Sequence, residues 1–137
     1  MHRAAQGMRN LGLDFDAILS SPYLRALQTA EVVVQIYKLK ADTIYPTNNL
    51  LPPASIKKLL NEVHSRFPKS KSILLVGHEP HLTEMISDLL MCDNPLEIDL
   101  KKGGLCCLSI PEPLGKACTV FNWLLTPTQL GLISKEK

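Results

Sequence analysis

Arg25 and His78 are the side chains in this sequence best suited to hold a phosphoryl group. Each follows an apolar run and a sharp turn. In Ser20-Ser21-Pro22-Tyr23-Leu24-Arg25-Ala26-Leu27-Gln28-Thr29-Ala30, a helix start and an arginine share one small space. Free amides at a helix N-terminus and a planar guanidinium together make an anion site, and phosphate is the anion they suit. The second segment, Val76-Gly77-His78-Glu79-Pro80, repeats the pattern of run, turn, functional side chain and proline. An imidazole placed there can donate to a phosphate oxygen or shuttle a proton near neutral pH. Ser21 and Glu79, at the two turns, join Arg25 and His78 as candidate phosphate-site residues. Each feature also has a plainer reading. Arg25 alone could be a surface ion pair, His78 could close a turn, and Glu79 could be an anion at a helix start.

The elements that must present these side chains can be read along the chain. Residues 3–11 have helical spacing, with Gly12 as a C-terminal stop. Phe15 to Ser20 reads as a buried strand. Ser21 can then cap a helix that has Pro22 at its first position. That helix is expected to reach about Leu39, with Tyr23, Leu27, Ala30, Val34 and Tyr37 along one side. Thr43 to Tyr45 reads as a short strand and Asn48 to Pro53 as a loop. Ser55 caps an amphipathic helix through Phe67. Ser72 to Gly77 is the clearest buried strand, and Pro80 opens a helix through Met91. Leu96 to Leu100, Leu105 to Ile110 and Ala117 to Leu125 predict an antiparallel meander. Strands alternating with helices predict an α/β fold, one domain over residues 1–137. It would be a three-layer sandwich with helices on both faces of a mostly parallel sheet and an antiparallel edge. In such sheets ligands bind outside the carboxyl ends of the strands, where both candidate turns would lie.

The bulk properties narrow the function classes. The 137 residues are 45% hydrophobic with a net charge of +2. This suits one domain with a real core and implies neither nucleic-acid binding nor an acidic tail. No apolar run approaches the roughly 20 residues of a membrane helix, and no secretory signal is visible. Lys69-Ser70-Lys71 and Lys101-Lys102 read as solvated turns. Cys92, Cys106, Cys107 and Cys118 contain no Cys-x-x-Cys pair and read as reduced, mostly buried thiols of a cytoplasmic protein. His78 and His81 lie three apart without the His-Glu-x-x-His spacing of a zinc helix, so neither a metal nor another cofactor is expected. Gly-rich phosphate loops and Gly-x-Ser-x-Gly elbows are absent from the sequence.

Together the two segments resemble the histidine phosphatase (phosphoglycerate mutase-like) superfamily, most closely its small SixA-like phosphohistidine phosphatase branch. Ile98-Asp99-Leu100-Lys101-Lys102-Gly103-Gly104 and Trp123-Leu124-Leu125-Thr126-Pro127-Thr128-Gln129-Leu130 are also similar to that branch. The resemblance implies that Arg25 binds the phosphoryl group and that His78 contacts it in the transition state. It implies hydrolysis of phosphohistidine on a partner protein, such as a phosphotransfer domain, by a monomer without cofactor. Loop 41–53 holds no glutamate, unlike mutase relatives. The family's Arg-His-Gly, which carries its nucleophilic histidine at the end of a first strand, does not occur in this sequence. A truncated domain is therefore expected, lacking that strand and part of the first helix, and with little turnover. The alternatives are a non-catalytic phosphate-binding pseudoenzyme and a phosphomonoesterase acting on small phosphate esters.

Overall fold

The computed structural model describes residues 1–90, 97–111 and 119–135. Its centre is β1 (Ala17–Ser20), buried along its whole length. This strand pairs in parallel with β2 (Ile44–Pro46) on one side and β3 (Ile73–Val76) on the other, giving the order β2-β1-β3. Ile18 stands opposite Ile44 and Leu74, and Ser20 opposite Pro46 and Val76. Helix α2 (Leu24–Tyr37) connects β1 to β2, and α3 (Ile56–Arg66) connects β2 to β3. Asp16 fixes the start of the β1–β3 pair. Its carboxylate accepts from Lys71 N at 2.6 Å and Ser72 N at 3.0 Å, and its own N–H donates to Ser72 O at 2.7 Å.

Strand alternation divides the core into two layers. On one face Ile18 and Leu74 pack with Ala4, Ala5 and Met8 of α1 (His2–Asn10), Ala30, Val33 and Val34 of α2, and Leu130 of α5 (Pro127–Ile133). On the other, Ala17 and Leu19 pack with Leu50, Leu59 of α3 and Met85 of α4 (His81–Leu89). The expected sandwich, with helices on both faces of a parallel sheet, is what forms. Beside it stands an antiparallel pair, β4 (Leu105–Ser109) and β5 (Val120–Leu125), with an irregularity between Cys107 and Leu108.

Local signals held at several ends. Ser55 Oγ accepts from Lys58 N, capping α3. Thr126 and Gln129 form a capping box at the start of α5. Gly12 ends α1 at φ +78°, where Leu13 N donates to Met8 O across the last turn. Other boundaries moved. Helix α2 begins at Leu24, not Pro22, with Tyr23 as its N-cap. Its buried stripe is Ala26, Ala30, Val33 and Val34, and Tyr23 stands 57% exposed. Residues 97–100 form no strand. Among the described residues no strand pairs with them, so their alternation joins no ladder. The expected end of α4 at Met91, the turns at 93–95 and 112–115, Cys92, Cys118 and the expected strand start at Ala117 lie outside the described residues. Among the described residues no helix is long and apolar enough to cross a membrane.

Candidate functional site

Both candidate turns leave the carboxyl end of the parallel sheet. Two bonds carry the pairing one residue past the strands: Ser21 N donates to Val76 O at 2.9 Å, and Thr47 N to Ser20 O at 2.8 Å. The chain then turns at Pro22 into α2, and at Gly77–Pro80 into α4. Gly77 packs against Leu82, whose Cδ2 lies 3.1 Å from where a Cβ would stand.

One cavity of about 920 Å³ opens at this end. Arg25, Gln28 and Thr29 of α2 reach its wall from one helical face, and His78 and Glu79 from the turn after β3. It continues along Leu74, Leu75 and Val76 to Leu100–Gly104 and the first residue of β4, Leu105, with Met8 of α1 and its N-cap Met1 also lining it. Sequence reasoning therefore placed Arg25 and His78 in one space. It missed Lys101 and Lys102, read as solvated turn residues, which line the same cavity. Their place just ahead of a strand in the segment 98–104 was the signal available. Lys101 pairs with Asp99 Oδ2 at 3.2 Å, both side chains being exposed. Lys102 makes no ion pair among the described residues, so the wall carries more positive than negative charge.

Arg25 is exposed and forms no hydrogen bond or ion pair with any described residue. The surface ion pair that would have explained it plainly is not formed there. Arg25 lies in the first turn of α2, and Tyr23 provides no side-chain cap for the amides at that helix start. His78 is held more firmly. Its Nε2 lies 3.2 Å from Ser21 Oγ, and its ring lies 5.2 Å from the Tyr23 ring at 47°. Ser21, carried as a phosphate-site residue, is fully buried beneath His78, and its Oγ also accepts from Tyr23 N at 3.2 Å. The Glu79 carboxylate accepts from Thr83 Oγ1 of α4. His81 is 5% exposed, with Nε2 buried and without a hydrogen bond among the described residues. No group of three His, Cys, Asp or Glu among the described residues is placed to hold a metal ion.

A second polar cluster braces the neighbouring loop. Glu62 of α3 accepts from Thr47 Oγ1, from Asn49 Nδ2 at 2.8 Å and from Arg66 at 2.7 Å. Burial pushes the Glu62 carboxyl up, but the bonds from Thr47, Asn49 and Arg66 outweigh it and hold the group below its ordinary range. The Arg66 guanidinium also lies over the Tyr45 and Phe67 rings, at 5.0 and 5.4 Å.

The three-layer core, the helix starts at the sheet's carboxyl end and the shared cavity define an architecture that solved structures also contain. The histidine phosphatase SixA, in a structure complexed with tungstate, superposes with a TM-score of 0.76 at 20% identity, over 94% of this chain and 80% of that one. This chain has the SixA fold. A structure from Agrobacterium tumefaciens that carries the same SixA assignment gives a TM-score of 0.66 at 18% identity, over 92% of this chain and 77% of that one. No family model matches the sequence. An uncharacterized protein of Picosynechococcus sp. (strain PCC 7002) is 34% identical over 103 residues, 74% of this chain. The match spans 61% of that relative's length. Within the SixA fold of this chain, Arg25 and His78 stand at the sheet's carboxyl end, on one cavity.

Proposed function

We propose that this chain forms the phosphoryl-holding part of a phosphohistidine phosphatase. The observation that carries the reading is Arg25: an exposed guanidinium without a described partner, on the same cavity as a histidine fixed from behind. An arginine kept out of ion pairs is ready to bind an anion without first losing a partner. Phosphoryl transfer is served mainly by positioning and by positive charge around the equatorial oxygens. Arg25 would grip two of them through its fork, with the α2 amides as further donors. His78 would donate to the group in transfer. Lys102 adds positive potential at the mouth. Tyr23, whose ring lies against His78, and Leu24, next to Arg25 in the chain, are 57% and 70% exposed and would offer apolar contact to a phosphorylated partner protein.

Hydrolysis also needs a nucleophile. We propose that it is a histidine on a strand laid along β3 within the same cavity, and that the 137-residue chain without it binds phosphate but turns over slowly. Tungstate, the oxyanion held in the SixA structure, is a phosphate-shaped probe. The chain should bind it, and Arg25→Ala should weaken binding roughly 10- to 150-fold, the worth of a hydrogen bond to a charged group. Joining the Arg-His-Gly strand of a SixA phosphatase ahead of Met1 should raise the hydrolysis rate on a phosphohistidine protein. Tungstate binding that ignores Arg25→Ala, or equal rates with and without the added strand, would overturn the reading.

A further inference from the structure

We propose that Ser21 is a positioning residue that sets the tautomer of His78. It deepens the reading of this site as a phosphoryl site, although the tautomer itself rests on geometry alone. Ser21 has no exposed surface and no freedom in its main chain. Its N–H donates to Val76 O at 2.9 Å, and its carbonyl accepts from Ser20 Oγ at 2.8 Å. The residue is thus pinned between the ends of β1 and β3, and its side chain can only face the turn that carries His78.

A serine hydroxyl has one proton to donate and two lone pairs to accept with. Tyr23 N–H, at 3.2 Å, uses one lone pair. Nε2 of His78, also at 3.2 Å, is the remaining contact. Two arrangements are possible. If Nε2 carried the ring proton, Ser21 Oγ would accept twice, and its own proton would be buried with no acceptor among the described residues. If Oγ–H donates to Nε2, the buried hydroxyl proton and Nε2 are both satisfied. A buried donor without a partner loses more than one ordinary hydrogen bond returns, so the second arrangement wins.

The consequence falls on the other ring nitrogen. With Nε2 accepting, the neutral imidazole carries its proton on Nδ1. Nδ1 has no hydrogen-bond partner among the described residues and His78 lines the cavity, so that N–H is the donor His78 can offer an oxyanion there. The Tyr23 ring, 5.2 Å away, limits rotation that would exchange the two nitrogens. Ser21 therefore acts on a bound anion through His78, not by touching it.

The test reads the tautomer directly. The 15N-labelled 137-residue chain is examined at a pH where the imidazole is neutral, using long-range proton–nitrogen correlations to separate Nδ1 from Nε2. Wild type should show a protonated Nδ1 and a bare Nε2 at His78. Ser21→Ala should shift the tautomer ratio toward Nε2–H by about five-fold, the effect of one ordinary hydrogen bond. Ser21→Cys keeps the volume with a weak donor and should shift it nearly as far, while Ser21→Thr should restore it. Backbone amide spectra confirm that each variant is folded. A protonated Nε2 in wild type would overturn the proposal, as would a ratio unchanged in both the Ala and Cys variants. Tungstate titration separates this from the functional reading. A tautomer that responds to Ser21 in a chain that binds no tungstate supports the positioning role and counts only against the phosphatase.

Discussion

Gly7→Ala should loosen the packing that holds α1 on the sheet, and the geometry sets the size of the effect. Gly7 is buried on the face of α1 that meets α5. A Cβ there would lie 2.2 Å from Leu130 O, 2.9 Å from Leu130 C and 3.2 Å from Leu130 Cα. All three are backbone atoms, so no side chain can swing away. A carbon–oxygen contact rests near about 3.3 Å, so the two helices must part by roughly 1 Å. A gap of that order forfeits about a quarter to a half of the dispersion energy of the atoms facing it. Those atoms include Ala4, Met8 and Leu130, all at most 5% exposed. Overpacking of this kind costs about 1–3 kcal/mol, and a backbone clash belongs at the upper end. Alanine returns about 1 kcal/mol of helix propensity. The net loss is then about 2 kcal/mol, or a fall in Tm of roughly 6–10 °C for a domain of this size. Thermal melts and urea titrations would measure it, with Gly131→Ala as the control. A Cβ at Gly131 meets only the Arg3 guanidinium, at 3.6 Å, so that variant should melt within about 2 °C of wild type. Equal melting of the two variants would refute the argument from close approach. Met8 of the same helix and its N-cap Met1 line the cavity, so Gly7→Ala should weaken tungstate binding as well.

The phenol oxygen of Tyr37 is buried without a hydrogen bond among the described residues, and burial, with Asp14 adding to it, pushes its pKa up to about 12. A folded-state value above the ordinary 10 means stability that is whole below pH 10 and lost as pH rises through about 12. Tyr37→Phe keeps the ring, 5.5 Å from Phe15, and should leave stability at pH 7 unchanged or raise it by up to about 1 kcal/mol while flattening that alkaline decline. A clear loss of stability in Tyr37→Phe would show the hydroxyl to be bonded. On the acid side, the Asp16 carboxyl is lowered by the Ser72 and Lys71 amides, and Glu62 is held low overall. Both contribute stability that is present above the ordinary carboxylate range and lost as pH falls through their depressed values. Glu62→Gln should therefore lower stability at pH 7 by about 1–2 kcal/mol and make acid unfolding shallower, read by denaturant titrations between pH 2 and 7. Arg25→Lys keeps the charge but loses the planar fork, so tungstate affinity should drop about five-fold, less than with Arg25→Ala. Equal losses in the two would mean that the charge kept by lysine contributes nothing to binding.

Much of this architecture could be read residue by residue, because local and tertiary signals agreed. Ile73 to Val76 is apolar without alternation and sends side chains into both core layers, although only Leu74 is buried and the other three are half-buried, less than the pattern predicts. Ser55 and Gly12 mark helix ends that need only their neighbours. The start of α2 was not readable in the same way. Ser21 and Pro22 carry the local pattern of a cap and a first helical residue, but the Ser21 amide is taken by Val76 O and its hydroxyl faces His78. Both bonds cross between segments 57 residues apart for the side chains. They keep Ser21 extended, delay the helix to Leu24, and so turn Tyr23 outward. Lys102 was missed for a related reason, since nothing in a basic pair says which cavity it borders. The alternation at 97–100 was legible as a pattern, but a pattern becomes a strand only where another strand is in reach.

The two principal site residues were equally visible in the sequence, yet they are held in opposite ways, and this bears on what the site can do. His78 is fixed by Ser21 behind it and Tyr23 beside it, so its donor is aimed before any ligand arrives. Arg25 has no described partner and is exposed, so ordering its side chain on binding costs up to about 2 kcal/mol of conformational entropy. Free phosphate must be held against that loss by Arg25, His78 and the α2 amides alone. A phosphorylated protein can offset it with contacts at Tyr23 and Leu24, which free phosphate does not reach. Under the proposed function the guanidinium would grip any phosphoryl group alike, which would leave discrimination to Tyr23 and Leu24. Tyr23→Ala would test this only ambiguously, because the ring also braces His78, whereas Leu24 is 70% exposed and has no such second role in the described structure. Leu24→Ala should therefore leave tungstate affinity within about two-fold and weaken binding of a phosphohistidine protein more than that. Equal effects on the two ligands would remove Leu24 from recognition and return the selectivity to Arg25 and His78.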